Sequence, residues 1–161
     1  MERTRKLTMS AIYIALYIVI IFLTSSVSFG AIQVRLANSM YALAFCYPFL
    51  VLPAGISVLL SNILFGGLGL PDMIGGFLVA IITTYLITLV RKHNLNKGLI
   101  ASIIVVVPSL LVSIWLSVLL QLPYWSLVVS LMLGHVIPSI IGLILVSSIE
   151  LTWKAKEDIN E

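Results

Sequence analysis

The stretch Ser39-MYALAFCYPFLVLPAGISVLLSNIL-Phe65 decides how this chain is folded. It is apolar almost throughout, and Pro48 and Pro53 fall inside it. Proline has no amide hydrogen and clashes with the preceding turn, so it kinks or ends a helix. The stretch is therefore either one long kinked helix or two short ones joined near Cys46–Pro53. Charge chooses between them, because cytoplasmic loops carry the excess of Lys and Arg. With Arg3, Arg5 and Lys6 inside, two crossings place Arg91, Lys92, Lys97, Lys154 and Lys156 inside as well, whereas one crossing puts both later clusters outside. Two crossings reconcile eight of the nine basic residues and leave Arg35 outside.

The fold expected is an all-α integral membrane protein of six transmembrane helices with both termini cytoplasmic. It forms a single membrane domain over residues 1–161, with helices at about 7–24, 39–47, 53–65, 73–90, 98–120 and 126–151. The second and third are short, so they must pack inside protein or thin the bilayer locally.

Composition agrees. The chain is 61% hydrophobic and only 9% charged, against roughly 25% charged residues in a soluble domain. So few charges could not cover the apolar surface of a soluble chain of this size. The net charge of +3 does not indicate nucleic acid, because the basic residues sit at segment ends rather than on one face. Cys46 is the one cysteine, so neither an intrachain disulfide nor a Cys–His metal cluster is expected, and no cofactor is implied. The run Leu7–Thr24 is about long enough to span a ~30 Å core at ~1.5 Å per residue. It exceeds the usual ~7–15-residue apolar core of a signal peptide, and no A-x-A site follows, so a retained first helix is expected.

Polar residues inside such a chain are candidates for function. The interruption Phe29-Gly30-Ala31-Ile32-Gln33-Val34-Arg35-Leu36-Ala37-Asn38 brings Gln33, Arg35 and Asn38 together. An Arg at the bilayer centre costs about 2.5–3.5 kcal/mol, so Arg35 should lie at the interface or in a wet cavity. Either this loop folds over a ligand pocket, or it is an ordinary exterior loop whose Arg meets lipid headgroups. Under the six-helix topology, segments 25–38, 66–72 and 121–125 share the exterior side and add Asp72, Gln121, Tyr124 and Trp125. Aromatics can stack on a flat ring, and amides and a carboxylate can satisfy its edges. Asp72 could accept two parallel hydrogen bonds from an amidine-like edge, or it could simply cap the helix that starts beside Pro71. Asn62 and His135 lie near mid-helix, where polar groups face a partner helix or a cavity. For Asn62 the alternative is interhelical bonding; for His135, which stands between Gly134 and Pro138, it is a neutral ring bonded to a carbonyl. Ala11 with Ala15, and Gly76 with Ala80, show the small-xxx-small spacing that lets another helix approach closely.

Absences narrow the choice. There is no G-x-x-x-x-G-K-[ST] loop, no H-E-x-x-H and no G-x-S-x-G elbow. Helix four reads Met73-Ile74-Gly75-Gly76-Phe77, without the serine of a rhomboid-type protease. Asp72 and Glu150 lie near helix ends, so an intramembrane proton relay is missing.

The run Phe29-Gly30-x-Ile32-Gln33-x-Arg35, Pro48 and Pro53, and Asn62-Ile63-Leu64-Phe65-Gly66-Gly67-x-Gly69-Leu70-x-Asp72 together resemble the QueT family. Its members are substrate-binding S components of energy-coupling factor (ECF) importers. The resemblance covers most of residues 7–92. It implies capture of a queuosine precursor or related 7-deazaguanine-type, nucleobase-like solute at the cell membrane. It also implies a transmembrane coupling protein and two cytoplasmic ATPases as partners, with Ala11 and Ala15 facing them. The residues expected to bind ligand are Gln33, Arg35, Asn38, Asn62, Asp72, Tyr124, Trp125 and His135. Two positions depart from the family. Asn38 stands where a Glu usually follows R-[IL]-[SA], and Gly134-His135 stands where Gly-Glu is frequent. An acid at either place could pair with an aminomethyl cation, so the departures open the site to a neutral, larger or chemically different base. The alternatives are a self-contained secondary transporter, an S component for another vitamin-like solute and, third, a membrane enzyme.

Overall fold

The computed structural model describes residues 2–29, 33–66 and 68–158, with the backbone alone over 154–158. It contains no strand among the described residues. Helix α1 spans Arg3–Leu23, and a one-turn helix, Ser25–Ser28, follows it. Helix α2 is Leu36–Cys46, α3 is Pro48–Gly66, α4 is Leu70–Lys92, α5 is Gly98–Leu120 and α6 is Tyr124–Asp158. Five of these are long and apolar enough to cross a membrane, α6 over Tyr124–Trp153; α2 is a shorter apolar helix.

The stretch 39–65 does divide, at the start of the Cys46–Pro53 junction. The break is Tyr47, with φ −131° and ψ 82°, the extended conformation that a following proline imposes. Pro48 then opens α3, and Pro53 falls in the first turn of its α-helical part, Val51–Ser61. There a missing amide hydrogen costs little, because first-turn amides have no partner within the helix. Helix α3 thus begins at Pro48 rather than near residue 53. Helix α2 begins at Leu36 rather than 39 and ends at Cys46.

Most of α2 is wound as a 3-10 helix: seven residues, Leu36–Ala42, precede the four α-helical residues Leu43–Cys46. At about 2.0 Å per residue for the first part and 1.5 Å for the second, α2 reaches roughly 20 Å, short of a ~30 Å hydrocarbon core. Its two ends nevertheless meet opposite ends of the bundle. At its C-terminus, Arg91 Nη1 of α4 donates to the carbonyls of Phe45 (3.0 Å) and Cys46 (2.6 Å). These carbonyls have no partner within the helix. The Arg91 guanidinium lies over Trp153 at 5.7 Å, Tyr47 meets the same ring edge-on, and Lys6 sits above Phe49. Arg3, Lys6, Arg91 and the Lys97–Glu150 ion pair therefore mark one end. Arg35, Asn62 and Asp72 mark the other.

Helix faces follow the 3.6-residue period. In α1, Tyr13, Tyr17 and Ile21 point inward at four-residue spacing, while Ile12, Leu16, Val19 and Leu23 are exposed. In α6, Leu131, His135, Ser139 and Val146 are buried, and Val129, Leu133, Val136, Ile140 and Ile144 face out. An outer surface of large aliphatic side chains suits lipid, whose tails are as apolar as leucine. The two small-residue pairs part company. Gly76 and Ala80 are buried, and a Cβ on Gly76 would come within 2.7 Å of Asn62 Nδ2. Ala11 and Ala15 are exposed.

Candidate ligand site

The last turn of α3, Asn62–Gly66, is π-wound, a widening frequent at functional sites. Asn62 stands at its start, 1% exposed, with Gly76 of α4 against it. Its Oδ1 accepts from Arg35 Nη2 at 3.0 Å, and its Nδ2 donates to the backbone carbonyl of Asp72 at 2.8 Å. Arg35 also donates through Nε to the Ser28 carbonyl at 3.2 Å, and its guanidinium lies 4.9 Å from the centre of the Phe29 ring. At 6% exposure this cation points into the protein rather than at headgroups. Its described partners are all neutral. Gly30, Ala31 and Ile32, quoted above as part of this loop, lie outside the described residues, as does Gly67.

Asp72 is not the helix cap considered above. Gly69 occupies the N-cap position with φ 79°, and Asp72 falls two residues into α4 with no side-chain capping bond. There the carboxylate gains from the positive end of the helix dipole. Its Oδ1 accepts from the indole Nε1–H of Trp115 on α5 at 3.2 Å. Its Oδ2 is buried and has no partner among the described residues. Gly66 lies close to that oxygen: a Cβ there would come within 3.3 Å of Oδ2 and 3.5 Å of the Phe29 ring, so the missing side chain lets α3 approach it.

A second cluster lies deeper. The Tyr17 hydroxyl donates to Asn38 Oδ1 at 2.8 Å, and Asn38 Nδ2 bonds His135 Nε2 at 3.0 Å. His135 Nδ1 lies 2.6 Å from the Leu131 carbonyl, with Ser109 Oγ at 3.4 Å. A carbonyl can only accept, so the proton is assigned to Nδ1 and Nε2 accepts from Asn38, which gives a neutral imidazole. The ring is thus a neutral imidazole tied to a backbone carbonyl, the second of the two arrangements considered for it. Gln33 is held beside it. A Cβ on Gly134 would collide with the Gln33 carbonyl oxygen, so only glycine lets this loop lie against α6. The Gln33 Nε2 is buried without a partner.

Buried hydroxyls elsewhere bond back to their own helices, as Ser57, Ser61, Thr83 and Ser113 do. Among the described residues, the buried side-chain atoms left without a partner are Asp72 Oδ2, Gln33 Nε2 and Tyr13 Oη. Each such group costs about 1–3 kcal/mol if nothing satisfies it. Native proteins leave few, and a ligand-binding role is one explanation.

Six expected site residues, Gln33, Arg35, Asn38, Asn62, Asp72 and His135, are therefore buried in this polar interior. Two are not part of it. The Tyr124 hydroxyl is used to tie α6 to α5, donating to the Leu110 carbonyl at 3.1 Å. Trp125 is 70% exposed and meets Tyr124 edge-on. Both lie at the start of α6, where an amphipathic ring suits the membrane–water interface. The sequence reading missed Trp115, Ser28, Phe29 as an aromatic wall, Tyr17 and Ser109. Trp115 carried a usable signal: an indole N–H within an apolar helix needs an acceptor.

Five apolar helices of crossing length around an interior that buries Arg35 and Asp72 have the build of a multi-pass membrane protein. The chain matches the model of the QueT transporter family over residues 7–151 and belongs to that family. No curated protein and no solved structure matches it. Asn38 and His135 are hydrogen-bonded to each other.

Asn62→Leu removes an acceptor of the Arg35 guanidinium and leaves the cation short of a buried bond. Hydrogen bonds to charged groups contribute about 1.5–3 kcal/mol, so a lower thermal midpoint in detergent micelles is expected. Arg35→Met combined with Asn62→Leu should recover part of the loss, because the charge leaves with its partner. An Asn62→Leu midpoint equal to wild type would contradict this role.

Proposed function

We propose that this QueT family member is the substrate-binding S component of an ECF-type importer. It captures a queuosine precursor or related 7-deazaguanine-type base for ATP-driven uptake. The observation that carries the reading is Asp72 Oδ2, a buried carboxylate oxygen near the Phe29 ring that has no partner among the described residues. Asp72 would accept from the N–H edge of the base, and Gln33 Nε2 would meet its carbonyl. Nanomolar capture of about a dozen heavy atoms needs roughly −1 kcal/mol per atom, close to the ceiling of about −1.5. Only an enclosed site with matched polar groups approaches that, and loop 25–38 would supply the enclosure.

The same reading has six crossings, with α2 as the short one, and cytoplasmic termini. The gathering of Arg3, Lys6, Arg91 and Lys97 at one end supports this orientation. At that end Ala11 lines a groove of about 510 Å³ between α1 and α3, beside Lys6, Phe49 and Pro53. The coupling protein, carrying two cytoplasmic ATPases, would dock there through Ala11 and Ala15.

Three measurements test the proposal. Asp72→Asn should weaken calorimetric binding of the base by about 1.5–3 kcal/mol; unchanged affinity removes Asp72 from the site. In a Cys46→Ala background, an impermeant maleimide should label Ser26→Cys and spare Asn94→Cys in intact cells, and the reverse pattern sinks the topology. Ala11→Trp with Ala15→Trp should abolish uptake and copurification with the ATPases while the isolated chain still binds ligand. Normal uptake, or equal loss of binding, would defeat the docking face.

A further inference from the structure

We infer that the site takes an uncharged planar solute and discriminates against analogues carrying an additional ammonium group. This rests on the reading of the Asp72 end as the ligand site, and it concerns the charge the site will accept.

The chain has six acidic residues: Glu2, Asp72, Glu150, Glu157, Asp158 and Glu161. Glu150 pairs with Lys97 at the opposite end of the bundle. Glu2 precedes α1 at that same end, where Arg3 and Lys6 line the groove against Phe49. Among the acidic residues whose side chains are described, Asp72 is thus the one carboxylate at the site, and Arg35 is the one cation in the sequence between Lys6 and Arg91.

The remaining polar groups carry no charge. Tyr17, Asn38 and His135 form a closed chain of neutral donors and acceptors, and both nitrogens of the imidazole are engaged. The Arg35 guanidinium bonds only an amide oxygen and a backbone carbonyl among the described residues and forms no ion pair there. Formal charge at this end sums to zero before a solute arrives. An uncharged solute keeps that balance. A solute with an ammonium group would bury a second cation near Arg35 with no second carboxylate to receive it.

The two unpartnered atoms at this end state the rest of the requirement. Asp72 Oδ2 can only accept and Gln33 Nε2 can only donate. A planar ring with a carbonyl next to an N–H edge offers one group to each while remaining neutral. The Phe29 ring and the Trp115 indole, whose N–H is already committed to Asp72, supply flat apolar surface.

The test uses the purified full chain and three 7-deazaguanines titrated by calorimetry at pH 7. They carry a nitrile, an aminomethyl or an acetamidomethyl group at the 7 position. The aminomethyl compound is cationic at this pH, the nitrile is small and neutral, and acetylation removes the amine's charge while enlarging it. The nitrile is expected to bind at least tenfold more tightly than the amine, and acetylation to recover affinity. Equal or tighter binding of the amine overturns the charge rule and leaves the proposed function standing. An acetylated compound as weak as the amine shows that size decides, and also overturns it. Failure of all three to bind overturns both this inference and the deazaguanine reading.

Discussion

Arg35 carries its charge into the interior of the bundle with an amide oxygen, a backbone carbonyl and an aromatic face as its described partners. Desolvating a guanidinium is costly unless hydrogen bonds replace its water. Asn62 supplies one of them, and the same amide binds the first turn of α4 through the Asp72 carbonyl. The loop after α1, the π-wound end of α3 and the start of α4 are thereby fixed relative to one another. The orientation of the Asp72 carboxylate depends on that bridge. Gly76 is part of the same device, because a side chain there would displace Asn62.

Helix α2 connects this end to the other. Arg35 stands at its N-terminal boundary, and Arg91 holds the carbonyls of its last turn. Its 3-10 winding lengthens a segment too short to be an ordinary crossing. The same winding places Asn38 against Tyr17 on one side and His135 on the other. A movement of α2 would therefore be felt at both ends, at the polar interior and at the basic face where the partner is proposed to bind. That is a physical requirement for a subunit whose ligand state must be read by a partner.

Much of this was legible in the sequence because membrane insertion penalises polar groups heavily. Gln33, Arg35, Asn38, Asn62, Asp72 and His135 stood out as polar residues in an apolar chain, and all six are buried together. Proline marked the division of residues 39–65, and its effect fell on Tyr47, the residue before Pro48, within the expected Cys46–Pro53 junction. The reading failed where one residue type serves two environments. Tyr124 and Trp125 have the right chemistry for stacking on a ring, but the same chemistry suits the interface, and periodicity at a helix start does not separate the two. Asp72 looked like a cap because Pro71 precedes it, yet Gly69 occupies the N-cap position and starts the helix three residues earlier than such a cap would. Trp115 was overlooked although its indole N–H signalled the need for an acceptor; only the structure names Asp72 as that acceptor.

The central claim is that the unsatisfied carboxylate oxygen of Asp72 is a place kept for a ligand. An experimental structure of the purified chain with its bound small molecule tests this most directly. The account requires a planar solute near the Phe29 ring, with an N–H group within hydrogen-bonding distance of Asp72 Oδ2 and a carbonyl facing Gln33 Nε2. A solute seated instead in the groove between α1 and α3, with Asp72 Oδ2 bonded to protein alone, would contradict it.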